Sequence, residues 1–231
     1  MLIAIIPAYN EEKNLGSVVR SLLNLPSSSK DYAGQLVDRV VVVDDGSLDK
    51  SGEIARDAGA VLLNHKINRG QGAALQTGHD YALAEGADYV LHFDADGQFD
   101  AGDIVPAFNA LKESGADILF GSRFLGKESN IPFVKKYILF PFARVFNKYF
   151  TGIKLTDIHN GFRILNRKAL LNIEIKQDRM AHATEIIGIV RQKGLKYIEF
   201  PVKVVYRTYG QGVEGGIRIL KDLFVGMFVR K

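Results

Sequence analysis

The sequence predicts an α/β protein with a Rossmann-like, mostly parallel central sheet, helices on both faces and a small C-terminal elaboration. Three observations lead there. Strand and helix signals alternate through the first 125 residues, as crossover-connected parallel strands require. The run Val37–Val43 is rich in β-branched residues, as in a strand covered on both faces. Each strand of this half also ends in a polar cluster, and α/β sheets place ligands at the carboxyl ends of their strands.

The elements follow in order. Leu2–Ile6 is a strand, and Asn10 is placed to cap a helix whose apolar stripe is Leu15, Val18, Val19, Leu22 and Leu23. Val37–Val43 is the second strand. A short helix over Gly52–Ala58, a strand at Val61–Leu63 and a helix over Ala73–Ala84 come next. A buried strand at Tyr89–Phe93, a helix over Asp103–Glu113 and a strand at Asp117–Phe120 complete the alternating region. From Gly121 the rhythm changes, and residues 121–160 read as loop-rich and aromatic. A helix over Ala183–Lys193, a strand stretch Tyr197–Tyr206 and an amphipathic segment from Gly215 follow.

Composition narrows the class. The 231 residues are 47% apolar and 24% charged, which fits one folded domain spanning 1–231 and excludes a disordered chain. With no cysteine, neither disulfides nor thiolate-held zinc are possible. The N-terminus lacks a basic region and turns acidic at Glu11-Glu12, so it reads as a first strand rather than a secretion signal. No apolar run approaches the ~20 residues that span a bilayer. A net charge of +4 is too mild to argue for nucleic acid.

The polar clusters carry the chemistry. Pro7-Ala8-Tyr9-Asn10-Glu11 follows the first strand and Asp44-Asp45-Gly46-Ser47 the second. Asn68-Arg69-Gly70-Gln71-Gly72 follows the third, Asp94-Ala95-Asp96-Gly97-Gln98 the fourth and Gly121-Ser122-Arg123 the fifth. Singly, each is ordinary turn or cap chemistry. Five of them along one edge predict a binding crevice. Alternate side chains of extended chain point the same way, so Asp94 and Asp96 are expected to converge. Hard oxygen ligands without Cys or spaced His suit Mg2+ or Mn2+ shared with a diphosphate. Asp45 can accept from a base and ribose, Pro7 and Tyr9 offer flat apolar surface, and Arg123 can grip phosphate with its fork. The turn Gly70-Gln71-Gly72-Ala73-Ala74 follows the third strand rather than the first and lacks a last Gly, so it is not read as an NAD site. There is no Walker lysine pattern either.

As an ordered set, these clusters with Thr156-Asp157-Ile158-His159-Asn160-Gly161-Phe162-Arg163 resemble the family 2 glycosyltransferases of GT-A fold. Within them the chain is most similar to the dolichyl- or polyprenyl-phosphate mannose and glucose synthases. The resemblance covers nearly the whole chain, most strongly residues 3–125. It implies that Pro7, Tyr9, Glu11, Val43 and Asp45 hold the nucleotide. It places Asp94, Ala95, Asp96 and Gln98 around metal and diphosphate, and Arg123 and Arg207 on the phosphates of donor or acceptor. Residues 1–125 would bind the nucleotide-diphospho-sugar donor, UDP- or GDP-linked, and 126–231 the polyprenyl phosphate acceptor. Six residues after Arg207 the family usually has Lys, and this chain has Val213.

Two readings compete with a lipid-phosphate acceptor. A sugar hydroxyl would need a carboxylate base, for which Asp157 and Glu185 are the candidates. A non-catalytic nucleotide-sugar binder would account for Val213. Membrane contact is expected through the aromatic and basic segment Ile131–Phe150, and through a stripe of Ile217, Leu220, Leu223, Phe224, Met227 and Phe228 beside Arg218, Lys221, Arg230 and Lys231. That places the protein in the cytoplasm, peripheral at the inner face of the cytoplasmic membrane. The five histidines lack metal-ligand spacing. His92 reads as a core residue, His159 stands near Asp157, and His182 has no assigned role.

Overall fold

The computed structural model describes residues 1–26, 34–126 and 153–205. Arg207, Val213, the Ile131–Phe150 segment, the C-terminal stripe and the last residue of the Tyr197–Tyr206 stretch lie outside the described residues. Alternation dominates the N-terminal part as expected: β1 (Leu2–Ala8), α1 (Leu15–Leu23), β2 (Arg39–Asp44), α2 (Ser51–Asp57), β3 (Val61–Asn64), α3 (Gln71–Ala84) and β4 (Tyr89–His92). A 3₁₀ turn at Ala101–Asp103 leads into α4 (Ile104–Ser114) and β5 (Ile118–Ser122). Then come β6 (Arg163–Asn166), α5 (Arg167–Asn172), α6 (His182–Gln192) and β7 (Tyr197–Pro201).

One seven-stranded sheet runs β3-β2-β1-β4-β6-β5-β7. Every pairing is parallel except those of β6, which lies antiparallel between β4 and β5. The period-2 alternation of β1 splits the core. Leu2, Ala4 and Ile6 pack with α1 and α4 on one face. Ile3 and Ile5 pack with α3, α5 and α6 on the other.

Two local expectations are corrected. Asn10 does not cap α1, which starts five residues later behind Asn14. Asn10 instead takes a left-handed backbone at φ 57°, and its Oδ1 accepts the Leu48 N–H at 2.8 Å, tying the loops after β1 and β2. Asn tolerates that conformation better than most residues. The second strand starts at Arg39 rather than Val37, because Asp38 Oδ2 instead accepts the Leu2 N–H at 2.6 Å. β6 and α5 were not foreseen. Asn166 caps α5, its side chain accepting from Ala169 N at 2.8 Å, so that start signal was present in the sequence.

Candidate active site

The loops after β1 to β4 enclose a cleft of about 340 Å³ at the carboxyl edge of the parallel strands. Pro7, Ala8, Tyr9 and Glu11 line it after β1, and Asp45 after β2. Asn68, Gly70, Gln71 and Ala74 line it around the start of α3, and Asp94, Ala95 and Asp96 after β4. Four of the five polar clusters therefore meet in one place. Strand polarity does this, since parallel strands put all their carboxyl ends on one side.

Asp45 is buried and already engaged. Its Oδ1 accepts from Arg69 N at 3.0 Å and contacts His65 Nδ1 at 2.6 Å, and its Oδ2 accepts from Gly70 N at 2.6 Å. His65 in turn meets Thr77 Oγ1 on α3 at 2.9 Å. A carboxylate offers about four lone-pair sites, so most of Asp45's capacity shapes the cleft wall at residues 65–70. Leu48 and Ile67 stand exposed on the loops beside it, and Tyr9 is 44% exposed at the rim.

Asp94 and Asp96 both face the cleft, although not through strand alternation. β4 ends at His92, and Ala95-Asp96 form a turn closed by the Gln98 N–H donating to Asp96 Oδ1 at 2.9 Å. Glu11 reaches the same volume from β1. Burial, then the charges of Asp96, Asp49 and Asp94, push its carboxyl up to about 7. Burial and Asp96 push Asp94 up to about 6, against Arg163, Arg123 and the Gln71 hydrogen bond. Three mutually repelling carboxyls in one cleft leave a deficit of positive charge. The donor set is all hard oxygen, which fits Mg2+ or Mn2+. Among the described residues no group of three or more His, Cys, Asp or Glu is placed to hold an ion alone, so diphosphate oxygens and water would complete the shell.

Behind the cleft lies the Asp157–Arg163 loop. Arg123 Nε and Nη2 each donate to one oxygen of Asp157 at 2.6 Å, and Arg123 N adds a third bond at 3.1 Å. Asn160 Nδ2 donates to Asp157 at 3.1 Å, and Asn160 Oδ1 accepts from Phe162 N at 2.9 Å. Arg163 is buried opposite His92 in the β4–β6 register. Burial brings its guanidinium down to about 10, with Asp94 and Asp157 opposing that fall. His92 is a core residue as expected, its Nε2 2.7 Å from that of His79, and burial drives its pKa well below the usual histidine value.

Val43 is fully buried inside β2 and does not line the cleft. Gln98 braces Asp96 through its backbone, and its carbonyl accepts from Val205 N at 2.9 Å. Glu185 lies on α6, where its Oε2 accepts from Lys176 N at 3.0 Å and Gln177 N at 2.9 Å. His182 is buried on the same helix. Gln71, Asn68, Gly161 and Arg163 were not assigned roles from the sequence. Gln71 and Asn68 stood inside a cluster already singled out, whereas the place of Arg163 depends on the unforeseen strand β6.

Comparison with known proteins bears on the family and the fold. Residues 3–173 match the profile described as glycosyl transferase family 2. The chain is 27% identical to a UDP-N-acetylglucosamine–dolichyl-phosphate N-acetylglucosaminyltransferase of Methanococcus voltae, over 100% of this chain and 96% of that protein. It is 28% identical to a polyprenol monophosphomannose synthase of Mycolicibacterium smegmatis, over 96% and 84% of the two chains. Among solved structures, the fold is shared with glucosyl-3-phosphoglycerate synthase from Mycobacterium tuberculosis in complex with Mn2+ and UDP-glucose. That match has a TM-score of 0.71 and 17% identity, and covers 100% of this chain and 78% of the other. With a profile match over most of its length, a GT-A sheet and a cleft lined by two strand-end aspartates, the chain belongs to glycosyl transferase family 2 and is a glycosyltransferase.

Proposed function

We propose that the protein moves a hexose from a nucleotide-diphospho-sugar to polyprenyl phosphate, with inversion at the anomeric carbon. One observation carries the choice of acceptor: the two candidate bases outside the cation cluster, Asp157 and Glu185, are committed elsewhere, and Glu11 stands in the cleft with Asp94 and Asp96, where this reading places the metal. Asp157 is held by the Arg123 fork and Asn160, and Glu185 by two backbone N–H groups. A hydroxyl acceptor needs a base within reach. A phosphate acceptor is already anionic near neutral pH and needs none. The names of the two curated relatives, which specify dolichyl phosphate and polyprenol, support the same reading.

In this reading an oxygen of the lipid phosphate attacks the anomeric carbon as the bond from that carbon to the β-phosphate oxygen breaks. The nucleoside diphosphate leaves with the electron pair, and no proton moves. Asp94 and Asp96, with Glu11 beside them, would hold Mg2+ or Mn2+, which when bound supplies Lewis-acid stabilisation to the diphosphate. Pro7 and Tyr9 lie where a base can stack, and Asp45 keeps the 65–70 wall in place. Among the described residues no helix is long and apolar enough to cross a membrane. We place the protein at the inner face of the cytoplasmic membrane, where the acceptor's phosphate would meet the cleft. Assaying UDP- and GDP-linked donors against polyprenyl phosphate and against sugar acceptors tests the reading. Turnover with the lipid phosphate is expected, and turnover only with hydroxyl acceptors overturns it.

The raised carboxyls make a pH prediction. A carboxyl whose folded pKa is raised adds stability that is full below its unfolded value and is lost as pH rises through the folded one. For Glu11 that window runs from 4.5 to about 7, and for Asp94 from 3.8 to about 6. Burial lowers the pKa of His79, His92 and His182, which acts in the opposite sense over this range. The carboxyl contribution is therefore read as a difference: in EDTA the thermal stability of wild type relative to Glu11→Gln is expected to fall as pH rises from 4.5 to about 7. Mn2+ with nucleoside diphosphate should restore it at pH 7, which differential scanning calorimetry will show.

A further inference from the structure

The carboxylate of Asp94 is fixed by neighbours from two distant parts of the chain. Gln71, the first residue of α3, donates from Nε2 to Asp94 Oδ1 at 3.1 Å. Gly161 also lies so close that a Cβ there would collide with the carboxylate. The last torsion of Asp is broad and roughly two-fold, so an uncontacted carboxylate would sample many orientations. A donor on one oxygen and the Gly161 backbone packed against the carboxylate restrict that choice.

Gln71 is itself held. It sits between Gly70 and Gly72, where a Cβ would strike the carbonyls of Asp178 and Gln177 respectively. Gly70 also has φ 112°, a conformation that favours glycine. The strap that presses on these glycines is tied down at several points. Ala73 N donates to Asp178 O at 3.1 Å, and Ile175 N to Gln76 Oε1 at 2.7 Å. Glu185 anchors the backbone of Lys176 and Gln177. The glycines of this turn thus make room for a strap of chain, and the side chain between them is aimed at Asp94.

We propose that Gln71 is a positioning residue: its amide orients Asp94 and so sets the affinity of the cleft for its divalent cation, with the 175–178 strap holding Gln71 in register. The inference rests on the reading of Asp94 and Asp96 as ligands of that cation. Groups that orient a metal ligand typically change metal affinity by roughly ten- to a hundredfold when removed.

The test is Mn2+ titration of the full chain by EPR, with UDP or GDP present, on wild type and Gln71→Met. The variant is expected to raise the Mn2+ dissociation constant roughly ten- to a hundredfold. Its thermal midpoint in EDTA should stay unchanged, so that the change lies in the metal constant rather than in folding. Glu185→Ala, outside the cleft, should weaken Mn2+ binding in the same direction by loosening the strap. Unchanged Mn2+ binding in Gln71→Met, or weaker binding only alongside a lowered midpoint, overturns the inference while leaving the metal reading intact. A wild-type protein that binds no Mn2+ overturns both.

Discussion

Asp96→Ala will lower kcat/KM for hexose transfer by about a thousandfold or more, the scale expected when several kcal/mol of charge stabilisation on a diphosphate leaving group are removed. Asp96 faces the cleft beside Glu11 and Asp94, and its charge is the largest electrostatic contribution raising both of their pKa values. The same substitution should therefore lower the pKa of Glu11 and Asp94 toward ordinary carboxyl values, a shift that carboxyl NMR can follow. Asp96 also closes the Ala95–Gln98 turn by accepting from Gln98 N. Asp96→Asn keeps an acceptor for that turn while removing the charge, so it separates the two roles. Transfer within tenfold of wild type in Asp96→Asn would refute the electrostatic account of this cleft.

Arg123→Ala is expected to cost about 3 kcal/mol of stability, measured by urea unfolding. The Asp157 side chain is 1% exposed and that of Arg123 is 11% exposed, and two 2.6 Å bonds join them. Removing one partner of a buried pair typically costs about 3–5 kcal/mol, because the other charge is left buried. Arg163 lies close enough to feel Asp157, which places the loss at the lower end of that range. The double variant Arg123→Ala with Asp157→Asn should recover part of the loss, since it leaves no stranded carboxylate. A cost below about 1 kcal/mol, the value of a surface pair, would mean that the pair is solvated. Arg123 was read from the sequence as a phosphate ligand. In the structure its fork is turned to Asp157, so it first organises the wall behind Asp94.

Much of the site was legible because it depends on local order and strand polarity. Asp45, Asp94 and Asp96 each follow an apolar run, and a parallel sheet brings such positions together whatever the details of the loops. The convergence of Asp94 and Asp96 was expected for the wrong local reason, since a turn rather than extended chain presents them. Asn10 illustrates the opposite limit. Its residue type suits both a helix cap and a left-handed loop position, and only the packing of the Ser47–Leu48 loop against it selects the second.

Chain order, residue type and hydrophobic period alone determined the α/β class, the polar edge and the two aspartates that face the cleft. Tertiary structure alone decided the antiparallel β6 and, with it, the burial of Arg163 beneath Asp94. It also committed Asp157 and Glu185 to structural bonds and placed the strap that steadies Gln71. The division has a physical cause. Periodicity and caps act over a few residues, whereas β4 meets β6 across more than seventy positions, and Ile175 meets Gln76 across 99. Contacts at that separation are chosen by global packing, which no local window of sequence encodes.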